Sequence, residues 1–148
     1  LHADEVGELI GYRDRLRAFL QGFDATDHGP IHADAISENV LIAADGLRLI
    51  DFDDGGMGLR LYDLGVALLP QWQSPDFAKL NDALCNGYGA ESGRSPDTLR
   101  NLVPVFSVLR AFASCGWIIA RAPEDIAKLR HYADRALGAA RLHLPKNL

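Results

Sequence analysis

The chain has 148 residues, a formal charge of −5 and 48% apolar residues, which suits one domain around a single core. Acidity without any run of Lys or Arg argues against a nucleic-acid partner and suits small, even cationic, ligands. The longest apolar tract, near residues 102 to 122, is broken by Pro104, Ser107, Arg110, Ser114 and Arg121, so neither a membrane span nor a secretory signal is expected.

Residues 4 to 22 carry Val6, Leu9, Ile10, Leu16, Phe19 and Leu20 at helical spacing, which predicts an amphipathic helix. The stretch HADAISENVLIAADGLRLIDFDD, residues 32 to 54, follows another logic. Asp34 and Asn39 are separated by four residues, too few for two strands and enough for a tight loop, where reactive side chains concentrate. Val40-Leu41-Ile42 and Leu47-Arg48-Leu49-Ile50 are β-prone runs joined at Asp45-Gly46, the signature of a hairpin. Closing that hairpin returns Asp51, at its end, to Asn39, at its start.

Helices are expected beyond this point. One covers Leu61 to Leu69 and stops at Pro70. Ser74-Pro75-Asp76 opens a second, with Phe77, Leu80, Leu84 and Tyr88 on one stripe and Gly87 and Gly89 ending it. Ser95-Pro96-Asp97 opens a third that runs toward Arg121 with a bend at Pro104, each start combining a Ser cap with Pro in the first turn. Pro123-Glu124-Asp125 opens a fourth that reaches about His143 before Pro145. Cys85 and Cys115 fall in helical contexts without metal-site spacing and read as reduced thiols of a cytoplasmic protein. The fold class is therefore α+β, mainly α: a helical lobe carrying one loop and one short hairpin.

An Asn oxygen and an Asp carboxylate are hard donors of the kind magnesium takes, and that ion draws its remaining ligands from water and substrate phosphates. Asn39 and Asp51 are the candidate metal ligands, and Asp34, offset toward the loop start, is placed to accept a proton from an attacking hydroxyl. The implied reaction is phosphoryl transfer from a magnesium nucleotide to an alcohol. Taken singly, an Asp or Asn in a loop is a turn former or a cap; the combination and its spacing carry the inference. His32 fits better as a packed organiser of the loop than as a catalyst. Asp63, in Leu61-Tyr62-Asp63-Leu64, stands at a helix start, where a carboxylate caps amides or ties down loop backbone. Trp72, Tyr88, Phe112 and Trp117 are core residues first and acceptor-pocket walls second. Arg110 and Arg121, eleven positions apart, share a helix face whose default is solvent and whose sharper reading is a phosphate or acceptor carboxylate.

HADAISENVLI followed by LIDFDDGGMGLRLYDLGVALLP resembles the catalytic segment of the aminoglycoside phosphotransferase and choline kinase family, a branch of the protein-kinase-like fold. Its homoserine-kinase-like and stress-response-kinase-like members are the nearest in feel. The resemblance implies a small-molecule kinase with ATP or GTP as donor and Mg2+ as cofactor. Asp34 takes the place of the base, Asn39 that of the first metal ligand and Asp51 that of the principal one, as in the general kinase scheme. Asp53 is a further candidate for the metal or for the groups around it, and Leu41 and Ile50 correspond to positions that floor the adenine pocket. His32 and Asp63 take positions that support the loop. Ala33 stands where the family usually has Gly, which tests whether the backbone there must visit positive φ. Ala35-Ile36-Ser37-Glu38 is also an unusual filling for that loop.

A kinase of this type needs a phosphate-covering loop and a Lys for the nucleotide phosphates. Neither precedes residue 29, so residues 1–148 are expected to be a C-terminal, substrate-binding lobe, inactive alone, whose N-terminal nucleotide lobe is its missing partner. The alternatives are a non-catalytic kinase-like binding module or truncated remnant, and, last, a metal-dependent phosphohydrolase, for which His2, His28, His131 and His143 are poorly clustered.

Overall fold

The computed structural model describes residues 1–23 and 25–148. In chain order the elements are α1 (Ala3–Gly22), β1 (His28–Ile31), β2 (Val40–Ala43), β3 (Gly46–Leu49), β4 (Gly56–Leu59), α2 (Leu61–Leu68), α3 (Phe77–Ser92), α4 (Pro96–Arg121) and α5 (Ile126–His143). This is the mainly helical α+β lobe expected, with one addition. β1 pairs antiparallel with β4, His28 opposite Leu59 and Ile31 opposite Gly56, as a second two-stranded sheet beside the β2-β3 hairpin. Gly-Pro and Gly-Met-Gly segments lack the alternating β-branched pattern that announces strands, so the sequence conceals this pair.

α4 is the central helix, and it packs against α2, α3 and α5. Leu99, Val103 and Phe106 face one apolar cluster with Leu61, Leu68, Phe77 and Cys85. Val105, Val108 and Ala111 face another with Leu16, Leu69, Ala136, Ala139 and Leu144. Contrary to the sequence reading, α4 is long and apolar enough to cross a membrane by length and composition; in this fold its apolar residues fill these two clusters. Small residues set the spacing of the helices. A Cβ on Gly65 would lie 2.4 Å from the Phe106 carbonyl carbon and 2.6 Å from the Ser107 nitrogen, so α2 and α4 touch backbone to backbone.

The helix boundaries depart from expectation at two glycines. α3 runs through Gly87 and Gly89 and stops at Gly93, which takes the left-handed φ of +72. Gly89 is a packing position, where a Cβ would meet the Arg94 carbonyl oxygen at 2.9 Å and Pro96 at 3.0 Å. Nor does a serine side chain cap α3 or α4; Ser74 Oγ accepts from the Asp76 amide at 3.2 Å, and Pro96 begins α4. Pro104 lies inside an unbroken α4. Its missing N–H frees the Arg100 carbonyl, which accepts from Asn81 Nδ2 at 3.0 Å.

α1 forms as expected, yet its apolar stripe is only partly covered. Leu16 is buried, whereas Val6 and Ile10 stay exposed along a groove shared with Ile119 and Ile126. Ion pairs attach α1 to α5 instead: Arg130 holds Glu5 at 2.9 Å and Arg141 holds Glu8 at 2.5 Å. Bonding to Arg130 draws the Glu5 carboxyl down to about 2. Cys85 and Cys115 are free, and burial pushes both thiols up.

Candidate active site

The loop from His32 to Asn39 leaves β1 and enters β2, and its shape is imposed from outside. Ala33 has φ +64, a left-handed conformation that costs a residue with a Cβ about 1–2 kcal/mol. Asp63, in the first turn of α2, offsets that cost: its carboxylate accepts from the His32 amide at 2.7 Å and from the Ala33 amide at 2.8 Å. Positive φ is thus what this position requires, and Ala33 meets the requirement without glycine.

His32 is buried, with both ring nitrogens engaged. Nδ1 accepts from the Asp34 amide at 3.3 Å, so Nε2 carries the proton and donates to the Ile50 carbonyl at 2.8 Å. Phe52 packs on the ring, centroids 4.5 Å apart. The imidazole therefore ties the loop to the far end of the hairpin.

Hairpin pairing supplies the other tie. Val40 lies opposite Leu49 and Ala43 opposite Gly46, so the turn residues are Ala44 and Asp45, with Gly46 at φ +132 as the first residue of β3. The ladder continues one step further, the Ile50 amide donating to the Asn39 carbonyl at 3.0 Å. Asp51 follows immediately, exposed, at φ +62. Ala33 and Asp51 are the non-glycine residues with positive φ among the described residues, one inside the loop and the other just past the hairpin that follows it.

Asp34 is held at both carboxylate oxygens. Arg110, from the middle of α4, donates through Nη2 to Oδ1 at 2.5 Å and through Nη1 to the Ala33 carbonyl at 3.3 Å. Asn39 Nδ2 donates to Asp34 Oδ2 at 3.1 Å and to its main-chain oxygen at 2.9 Å. With its nitrogen turned to Asp34, Asn39 has its oxygen left to offer a ligand. The Asn39 amide oxygen and the Asp51 carboxylate are hard oxygens, donors whose chemistry fits Mg2+. Asp53 is exposed within the Phe52–Gly55 turn, which closes through the Gly55 amide to the Phe52 oxygen at 2.9 Å. Leu41 and Ile50 are 48% and 41% exposed, so neither is the buried hairpin packing that an inward strand residue would show. Among the described residues, no three His, Cys, Asp or Glu side chains cluster as a metal site.

Beside Asp34 opens a cavity of about 300 Å³, walled by Asp54, Arg110, Trp117, Tyr132 and Arg135. Of the four aromatic residues considered from sequence, only Trp117 lines it. Trp72 packs across Gly138, Tyr88 reaches Asp27 at 3.5 Å, and Phe112 borders the α1–α5 cluster. Arg110 and Arg121 also part company: Arg110 turns to Asp34, and Arg121 lies 4.7 Å from the Trp117 ring. Helical periodicity placed Arg110 on a face but could not show that the loop folds back onto it. Tyr132 and Arg135 carried no motif at all, and Asp54 ends the motif stretch without a role assigned to it from sequence.

The helical lobe with its loop and hairpin is that of a kinase-like fold. Residues 1–102 match the phosphotransferase enzyme family (APH), and the chain belongs to that family. No curated protein matches it significantly. A solved structure of a microcompartment-associated aminopropanol kinase is similar over 96% of this chain, with a TM-score of 0.75 and 26% identity. The chain spans 45% of that kinase's length.

Proposed function

We propose that this chain is the acceptor-side half of an ATP- or GTP-dependent kinase that moves a γ-phosphoryl group to the hydroxyl of a small molecule. The observation that carries the reading is the clamped Asp34, fixed between Arg110 and Asn39 on the wall of a cavity sized for a small acceptor.

In this reading an acceptor hydroxyl in the cavity donates its hydrogen bond to the Asp34 carboxylate. The hydroxyl oxygen bonds to the γ-phosphorus as the bridge to the β-phosphate breaks, the nucleoside diphosphate leaves, and the hydroxyl proton passes to Asp34. Because the transition state is loose, Asp34 acts first by aiming the oxygen and only later by taking the proton. Arg110 and Asn39 keep the carboxylate from rotating away, and Asp63 and His32 keep the loop in its strained shape. Asn39 and Asp51 would hold Mg2+, which supplies neutralisation of charge on the phosphates. Exposed Leu41 and Ile50 offer an apolar floor for the purine. The 45% coverage of the related kinase supports a further nucleotide-covering lobe in the complete enzyme.

The test is phosphoryl transfer by the full-length protein, followed by phosphorus NMR with a panel of small alcohols, before and after Asp34→Asn. Turnover is expected to fall about 10²–10⁴-fold with the fold unchanged by circular dichroism. Retained turnover in the variant would remove Asp34 as the base. Absence of both turnover and magnesium-dependent nucleotide binding in the wild type would favour a binding module.

A further inference from the structure

Arg135 is the cationic group of the cavity that the proposed chemistry leaves without employment. It stands on α5, its guanidinium 4.7 Å above the Tyr132 ring, and lines the same cavity as Asp34. Its Nε is fully buried and has no hydrogen-bond partner among the described residues. No carboxylate of the described residues pairs with it, whereas Arg110 in the same cavity is paired with Asp34. Burial holds the Arg135 guanidinium below the ordinary arginine range, and Arg110 adds its repulsion. Asp54 shares the cavity but is exposed, so water screens its charge and leaves that of Arg135 unanswered.

A buried guanidinium nitrogen with no acceptor is costly, and its position on the cavity wall points to a missing acceptor atom. The guanidinium fork matches a planar carboxylate, and the ring beneath it fixes the fork's plane. A cavity of about 300 Å³ leaves room for a short chain between that carboxylate and the hydroxyl at Asp34. We infer that the phosphoryl acceptor is a small hydroxy acid whose carboxylate is bound by Arg135 in the cavity that Asp34 also lines. This rests on the kinase reading for the fate of the hydroxyl, but not for the carboxylate site itself. It separates this chain from an enzyme for simple amino alcohols, which have no anion to offer Arg135.

The experiment compares glycerate, serine and homoserine with their carboxamides, and with ethanolamine and aminopropanol, as acceptors for the full-length protein. The acid-over-amide ratio of kcat/KM is expected to exceed about tenfold for the preferred acid. It should collapse to about one in Arg135→Met, which keeps the aliphatic packing, and recover in part in Arg135→Lys. Acids and amides used equally by the wild type, or a ratio untouched by Arg135→Met, would overturn the proposal. Calorimetry without nucleotide separates it from the kinase reading. Acid binding that Arg135→Met abolishes, in a protein that transfers no phosphate, keeps the carboxylate site and rejects the kinase. Transfer to amides or amino alcohols without acid preference keeps the kinase and rejects the site.

Discussion

The two halves of this molecule are held together by different physics. In the helical half, α2, α4 and α5 bury Leu61, Val66, Leu99, Val103, Val108 and Ala136 completely, and stability comes from apolar area and close backbone approach. In the strand-and-loop half, Leu41, Ile42, Leu47, Leu49, Ile50, Phe52 and Met57 remain exposed. Order there comes from a few charged or polar groups reaching across: Asp63 to two amides, His32 to Ile50, Arg110 to Asp34. The anchors Asp63 and Arg110 belong to α2 and α4, so the packed half serves as a rigid frame on which the reactive loop is bent. Strain is concentrated where the chemistry is proposed, at Ala33 and Asp51.

That division can be broken by substitution. The largest effect is expected from Asp63→Ala, which leaves the His32 and Ala33 amides without their acceptor. Stability should fall by about 2–3 kcal/mol in urea titration, with phosphoryl transfer falling as the loop relaxes. Gly65→Ala attacks the frame instead. A Cβ there cannot fit between α2 and α4, so a loss of about 1–3 kcal/mol is expected, while turnover per folded molecule stays near wild type. A turnover loss equal to that of Asp63→Ala would show that the halves are not separable. The smallest effect is expected from Ala33→Gly, which relieves the left-handed φ but loosens the unfolded chain; a gain of about 0–1 kcal/mol should appear as a slightly raised melting temperature. A clear loss there would mean that the Ala33 side chain matters more than its backbone.

Helices were legible because apolar periodicity and Pro or Gly punctuation are local signals. Even so, Gly87 and Gly89 misled, since Gly89 is chosen for contact with Pro96 and only Gly93 for conformation. Pro104 does not interrupt α4, and Asn81 supplies from another helix the hydrogen bond that the Arg100 carbonyl lost. The loop residues Asp34 and Asn39 and the hairpin leading to Asp51 were legible from spacing, and the family from the motif around them. The turn of Arg110 onto Asp34, and the presence of Tyr132 and Arg135, were not, because they meet Asp34 only through tertiary packing of α4 and α5. The β1-β4 pair was hidden because its Gly-Pro and Gly-Met-Gly segments lack the alternating β-branched pattern of strands.

The central proposal is that Asp34, Asn39 and Asp51 form the base-and-metal end of a phosphotransferase cleft. Calorimetric titration of a non-hydrolysable ATP analogue into the full-length protein, with and without Mg2+, tests it most directly when repeated with Asp51→Asn. Binding that depends on Mg2+ in the wild type and is weakened at least about tenfold in the variant is the predicted result. Magnesium-independent binding, or binding that Asp51→Asn leaves unchanged, would contradict it.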